Sequence, residues 1–369
     1  MNKDDKLDEL REGAANLVFN YACVREGENV CVYADTKSDP LVTEAIAAAA
    51  RQAGGRVVVV LADETLDPQA SGLVDPLPIA VNAFFAADVI LCILSVFKMQ
   101  WSTKALSKAV KEYGVRLAYI GPNTAAELAK DWAKFPAEVS YALGRQTIAD
   151  LKAGGAEITL TDAGGTNLRA TVNPDSWSGA GTRGPMKEKG AYGVIPASTI
   201  STQHIEKING RIVLDFLETF GPSDEVCELV VEDNWIIDVL GGAQAKMFKE
   251  RLFSIKNANL FSQLAWGFNP KGRISDYLRP PWDKNKMSIL TRLAGVMHPG
   301  FGSTPFQQGK ETKVTGNFHT HGVLLAPTLK AGDRTIIENG RLTALDAPAV
   351  RSIAEKYGNP DEVLAIIHS

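Results

Sequence analysis

Short apolar runs rich in β-branched residues recur through the first third of the chain, separated mainly by segments of helical periodicity. This alternation leaves few folds open. The runs are Asn29–Ala34, Arg56–Leu61, Asp88–Leu94 and Arg116–Ile120. After the first, Ser38-Asp39-Pro40 supplies a helix cap followed by proline at the first helical position. Leu41, Ala45, Ile46, Ala49 and Ala53 then form one apolar stripe, and Gly54-Gly55 closes the helix. Further helices are expected over Ser102–Tyr113, with Leu106, Ala109 and Val110 facing in, and over Asn123–Lys134. A strand apolar on both faces must be covered on both, and intervening helices provide that cover. The pattern therefore predicts a doubly wound, mainly parallel sheet. No Gly-x-Gly-x-x-Gly or Walker-type loop follows any of these strands, so nucleotide binding has no support.

The character changes between about Ala137 and Ala153. Beyond it come three hairpin signals. The first joins Glu157–Thr161 to Leu168–Val172 through Ala163-Gly164-Gly165-Thr166-Asn167. The second joins Glu225–Val231 to Trp235–Leu240, and the third joins Thr335–Ile337 to Arg341–Thr343 through Glu338-Asn339-Gly340. Gln244–Lys256 reads as a helix, and Asn209-Gly210 as a further turn. Two domains follow from this reading: an α/β domain over residues 1–145, and an α+β domain with an antiparallel sheet over 146–369.

A length of 369 residues suits two such domains. With 45% hydrophobic and 22% charged residues the composition is that of a globular protein. The net charge is −4 and the pI about 5.8, with no basic stripe, which argues against nucleic acid and anionic membranes as partners. The longest apolar run, around Val89 to Val96, is too short to span a bilayer, and the first residues carry no apolar core of a signal peptide. Cys23, Cys31, Cys92 and Cys227 lack metal-type or disulfide-framework spacing and read as free thiols, mostly buried, of a cytoplasmic protein. A homo-oligomer is the expected assembly.

The chemistry concentrates near the end of the second domain. His319-Thr320-His321 on an extended strand would point both imidazoles to one face, because side chains alternate with period 2. His298 lies shortly upstream, in Met297-His298-Pro299-Gly300-Phe301-Gly302. Two same-face imidazoles joined by a third can hold a transition metal, while surface or hydrogen-bonded core histidines are the plainer alternative. His204 reads as a surface residue and His368 as a solvated one. Arg183, Lys187 and Lys189 in a glycine-rich loop would clamp an anion or simply be solvated. Tyr192 and Trp266 would stack on an aromatic ring or pack in the core. Ser303 and Thr304 follow the His298 motif without a Gly-x-Ser-x-Gly elbow, so neither reads as a nucleophile.

Ser38-Asp39-Pro40 and Ser262-Gln263-Leu264-Ala265-Trp266-Gly267-Phe268-Asn269-Pro270, with the His319-x-His321 pair, resemble the 2,5-dihydroxypyridine 5,6-dioxygenases. His298, within His-x-x-Phe-Gly, is similar to a metal-binding histidine of the more distant aminopeptidase T and S metallopeptidases. The resemblance extends over the whole chain. It implies a ring-cleaving dioxygenase that takes O2 and a small hydroxylated aromatic or heteroaromatic substrate. Fe(II) would be held by His298, His319 and His321, with Zn(II) or Mn(II) as alternatives, and Gln263, Tyr192 and Lys189 would orient the substrate. The departures also carry information. Gln263 stands where the dioxygenases have a ligating histidine and the peptidases a glutamate, and His321 where both have aspartate. Val194 replaces a further peptidase glutamate. A two-metal hydrolytic centre needs those carboxylates, so a hydrolase is the second reading and a non-enzymatic ligand-binding member of the fold the third.

Overall fold

The computed structural model describes residues 3–63, 77–94, 104–179, 184–196, 198–218, 220–279, 282, 284–304 and 306–367. The chain divides into two compact units, Met1–Tyr141 with Arg183–Ala197, and Ala142–Thr182 with Ser198–Ser369. The division falls inside the helix Ala137–Gly154.

In chain order the first strands are β1 (Asn29–Asp35), β2 (Arg56–Ala62), β3 (Val89–Cys92) and β4 (Arg116–Ile120). Strands β5 (Glu157–Thr161) and β6 (Asn167–Val172) follow in the second unit, before β7 (Tyr192–Ile195) returns to the first. The first unit is an all-parallel sheet in the order β2-β1-β3-β4-β7. β3 and β4 are buried along their whole length, whereas the edge strand β2 leaves Val58, Val59 and Leu61 exposed. Asp39 caps the helix Pro40–Gln52 by accepting from Leu41 N at 2.9 Å. Its second carboxylate oxygen accepts from Ala125 N at 2.8 Å, at the start of another helix.

Two sequence expectations change here. Asn123–Lys134 is not one helix but two short ones, Ala125–Leu128 and Asp131–Lys134. Lys130 is extended between them, and Glu127 spans the break by accepting from Lys130 Nζ and Trp132 Nε1. Lys187–Pro196, read as part of the second domain, supplies β7 instead, whose Tyr192–Ile195 pair with Leu117–Ile120. A strand of four residues carries too little pattern to announce its partner. Helix Lys104–Tyr113 buries Leu106, Ala109 and Val110 as expected, while Ser102 and Thr103 lie outside the described residues.

The second unit adds β8 (Thr199–Thr202), β9 (Ile205–Leu217), β10 (Gly221–Glu232), β11 (Trp235–Gly241), β12 (Phe261–Gly267), β13 (Gly300–Thr304), β14 (Val314–Val323), β15 (Thr328–Ala331), β16 (Arg334–Glu338) and β17 (Arg341–Leu342). Its sheet runs β17-β16-β15-β5-β6-β9-β14-β13-β12-β8, with the hairpin β10–β11 branching from β9. The three expected hairpins form as β5–β6, β10–β11 and β16–β17, and the helix Ala243–Ser254 packs on β10 and β11. Asn209-Gly210 is not a turn: both residues lie inside β9. Gly210 has φ +126°, and a Cβ there would stand 2.2 Å from the carbonyl oxygen of Asn167 on β6. The glycine serves close strand approach, which Asn-Gly by itself does not distinguish from a turn. Among the described residues no helix is long and apolar enough to cross a membrane.

Candidate metal centre

Three neighbouring antiparallel strands build the site. Gln263 on β12 pairs with Gly300 on β13, and Gly300 pairs with His321 on β14. His319 pairs with Gly302. Antiparallel partners share a sheet face, so Gln263, His319 and His321 project together over a central strand that has no side chain at either glycine. A Cβ on Gly300 would lie 2.9 Å from Gln263 Cβ, 3.1 Å from Gln263 Oε1 and 3.1 Å from His319 Cε1. The flanking side chains thus lean into the space that Gly300 vacates. Phe301 faces the other way and packs edge-on against Phe261 and Phe248, anchoring β13.

The two imidazoles meet tip to tip, Nε2 to Nε2 at 3.2 Å, with their rings at 80°. Each Nδ1 faces an acceptor: His319 Nδ1 lies 3.1 Å from the carbonyl oxygen of Ser303, and His321 Nδ1 lies 3.2 Å from Glu218 Oε2. Carbonyl and carboxylate oxygens only accept, so both protons belong on Nδ1 and both Nε2 lone pairs are bare. Bare nitrogens facing one another at that distance need a proton or a cation between them. Two imidazole nitrogens at ~2.0–2.1 Å from one ion, at right or tetrahedral angles, stand roughly 2.8–3.4 Å apart. The pair fits a bound metal by donor type and by spacing.

His298 lies beside the pair. Its backbone N donates to Ala265 O at 2.7 Å, and its ring centre is 5.7 Å from that of His321. Its Nδ1 is buried with no hydrogen-bond partner among the described residues, an orphaned donor or acceptor of the kind a ligand satisfies. As the side chains stand, no three His, Cys, Asp or Glu among the described residues could together hold a metal ion, and the candidate centre rests on the His319–His321 pair. Burial, with the neighbouring His321, pushes His319 down to about 3, against the opposing pull of Glu218 and the Ser303 carbonyl. Burial likewise holds His298 well below the ordinary histidine range, helped by His321, Arg292 and His319. Both are therefore neutral at physiological pH, the form that ligates metals.

The remaining expected residues fall elsewhere. Lys189 and Tyr192 belong to the first unit, Lys189 exposed in the turn before β7 and Tyr192 53% exposed on β7. Lys187 is exposed, and its carbonyl accepts from Arg25 Nη2. Arg183 and His368 lie outside the described residues. Trp266 is a core residue, fully buried with its ring 5.2 Å from that of Trp177. His204 is half-buried against Phe306, ring centres 3.6 Å apart. Ser303 Oγ donates to Phe318 O, and Thr304 Oγ1 accepts from Phe306 N, so both are structural. Cys31, Cys92 and Cys227 are buried, Cys23 is partly exposed, and all four are free thiols. Sequence reasoning missed Glu218. Its only local signal is a carboxylate directly after the apolar Phe216-Leu217 end of β9.

Comparison with known proteins gives the fold and the family. The structure of 2,5-dihydroxypyridine dioxygenase from Pseudomonas putida KT2440 superposes with a TM-score of 0.68 at 16% identity, covering 95% of this chain and 99% of that one. Wild-type AmpT from Thermus thermophilus superposes with a TM-score of 0.63 at 13% identity, covering 91% of this chain and 99% of that one. At such identities the likeness establishes the fold, a parallel α/β unit joined to a large antiparallel one. No curated protein sequence matches significantly. The family model for 2,5-dihydroxypyridine 5,6-dioxygenase (NicX) matches residues 13–344, and the chain belongs to that family. It is thus an enzyme of the ring-cleaving dioxygenase class, for which an aromatic substrate, O2 and a metal cofactor are implied.

Proposed function

We propose that this protein is a mononuclear non-haem iron dioxygenase that opens a hydroxylated N-heterocyclic or related aromatic ring. The observation that carries the reading is the 3.2 Å approach of the His319 and His321 Nε2 atoms, on rings whose Nδ1 atoms both face acceptors. These two residues would hold the iron, with His298 as third ligand through its unpartnered ring. When bound, Fe(II) supplies open positions for a chelating substrate and for O2. The protein's part is orientation and exclusion of water. The Ser303 carbonyl and the Glu218 carboxylate lock the two ring orientations. Gln263, buried on the same face, offers one amide donor and one acceptor, which suits a ring nitrogen beside a hydroxyl. Three neutral imidazoles leave the charge of a divalent cation uncompensated by its ligands, which favours a deprotonated hydroxy-heteroaromatic over a neutral amide.

The test is oxygen uptake by Fe(II)-loaded protein with 2,5-dihydroxypyridine as probe. We expect O2 consumption with ring opening, and loss of both metal retention and O2 consumption in His319→Ala. Anaerobic hydrolysis of an amino-acid amide, or stoichiometric metal retained by His319→Ala, would overturn the proposal.

A further inference from the structure

We infer that Glu218 is the positioning residue of this centre, committing His321 to ligation through Nε2 and placing a negative charge directly behind it. The inference rests on the metal-binding reading above. Glu218 follows the last residue of β9, where Leu217 pairs with Gly322 of β14. Its backbone N donates to His321 O at 3.0 Å, so the two residues are tied before their side chains meet. One carboxylate oxygen, Oε2, then accepts from His321 N at 2.9 Å and lies 3.2 Å from His321 Nδ1. It also accepts from Thr320 Oγ1 at 3.3 Å.

Gripping both the backbone and the ring of His321 leaves the imidazole little freedom about χ1 and χ2. The contact is sequestered, with side-chain exposures of 5% for His321 and 9% for Glu218, so water does not compete for it. A carboxylate on Nδ1–H makes an imidazole a stronger donor at Nε2. His319 has only the neutral Ser303 carbonyl in the matching place. The two strand ligands are therefore unequal, and His321 is the stronger. Its partner carboxylate offsets cation charge that the imidazoles themselves cannot.

The experiment uses the full chain, wild type and Glu218→Gln, with Zn(II) affinity measured by chelator competition and the Co(II) absorption spectrum as a second reading. Urea unfolding of both metal-free proteins monitors folding. We expect Zn(II) affinity to fall roughly 10–100-fold in Glu218→Gln, with a shifted Co(II) band. Unchanged affinity and spectrum beside a wild type that binds would overturn the positioning role while leaving the metal site standing, even if the variant is less stable. A wild type that binds neither ion would overturn the metal reading, and this inference with it. Should the variant fail to fold, two-bond 1H–15N correlation on the histidine rings of Zn(II)-loaded wild type decides the matter. Protonated Nδ1 and metal-bound Nε2 on His321 support the role, and the reverse assignment refutes it.

Discussion

Gly300→Ala is the smallest change that should damage the centre without touching a polar group. The added methyl would sit 3.1 Å from His319 Cε1 and 2.9 Å from Gln263 Cβ, where ordinary contact begins near 3.4 Å. Gln263 can swing its amide aside, but its Cβ moves only with β12, which is buried along its whole length. His319 is pinned through Nδ1 to Ser303 and must give by about 0.3 Å, beyond the roughly 0.2 Å within which metal–ligand distances are held. Overpacking of this kind costs about 1–3 kcal/mol, while replacing glycine by alanine in an allowed conformation returns about 0.4–1 kcal/mol. Steric strain wins, leaving a net loss of about 1–2 kcal/mol. Urea unfolding of the metal-free protein would read that loss. Chelator competition with Zn(II) would read a fall in affinity of roughly tenfold or more, as found when ligand orientation is disturbed. A variant equal to wild type in both measurements would show that the glycine strand does not shape the site.

The depressed His319 gives a pH signature of defined sign. Its folded value of about 3 lies below the ~6.5 of an unfolded histidine, so the unfolded chain takes up the proton first and metal-free stability falls as pH drops from 6.5 toward 3. After discounting for partial exposure, the His319 share of the loss at pH 5.5 should be about 1 kcal/mol and absent in His319→Gln, which keeps the share due to His298. Equal pH dependence of wild type and variant in urea unfolding would remove His319 as its source. Gly210→Ala should cost about 2–3 kcal/mol, because its Cβ would overlap the Asn167 carbonyl at a positive φ. Lying roughly 25 Å along β9 from Glu218, it should leave Zn(II) affinity unchanged. A parallel loss of affinity would mean that the sheet transmits the strain.

Much of the fold is local in origin and was therefore legible. Strand burial on both faces, the Asp39 cap and the hairpin turns are written in stretches of five to fifteen residues, and the structure follows them. The shared face of His319 and His321 is equally local, since a strand alternates with period 2 wherever it lies. What pattern alone could not assign are pairings between distant segments. β7 joins a parallel sheet through contacts with residues 75 positions earlier, and Asn209-Gly210 lies within a strand because β6 presses against it. Trp266 belongs to the core because Trp177 lies beside it.

The same division runs through the candidate site. The sequence by itself named the three histidines, because imidazole chemistry is visible in the residue type, while Gln263 was named by the family resemblance at its position. Only the tertiary structure showed that Gly300 and Gly302 clear the strand between Gln263 and the histidine pair, and that Glu218, 103 residues before His321, sits behind its ring. Ring tautomer and charge compensation depend on atoms a few ångströms apart in space. Chain order does not encode such proximity until long-range strand pairing has brought those atoms together.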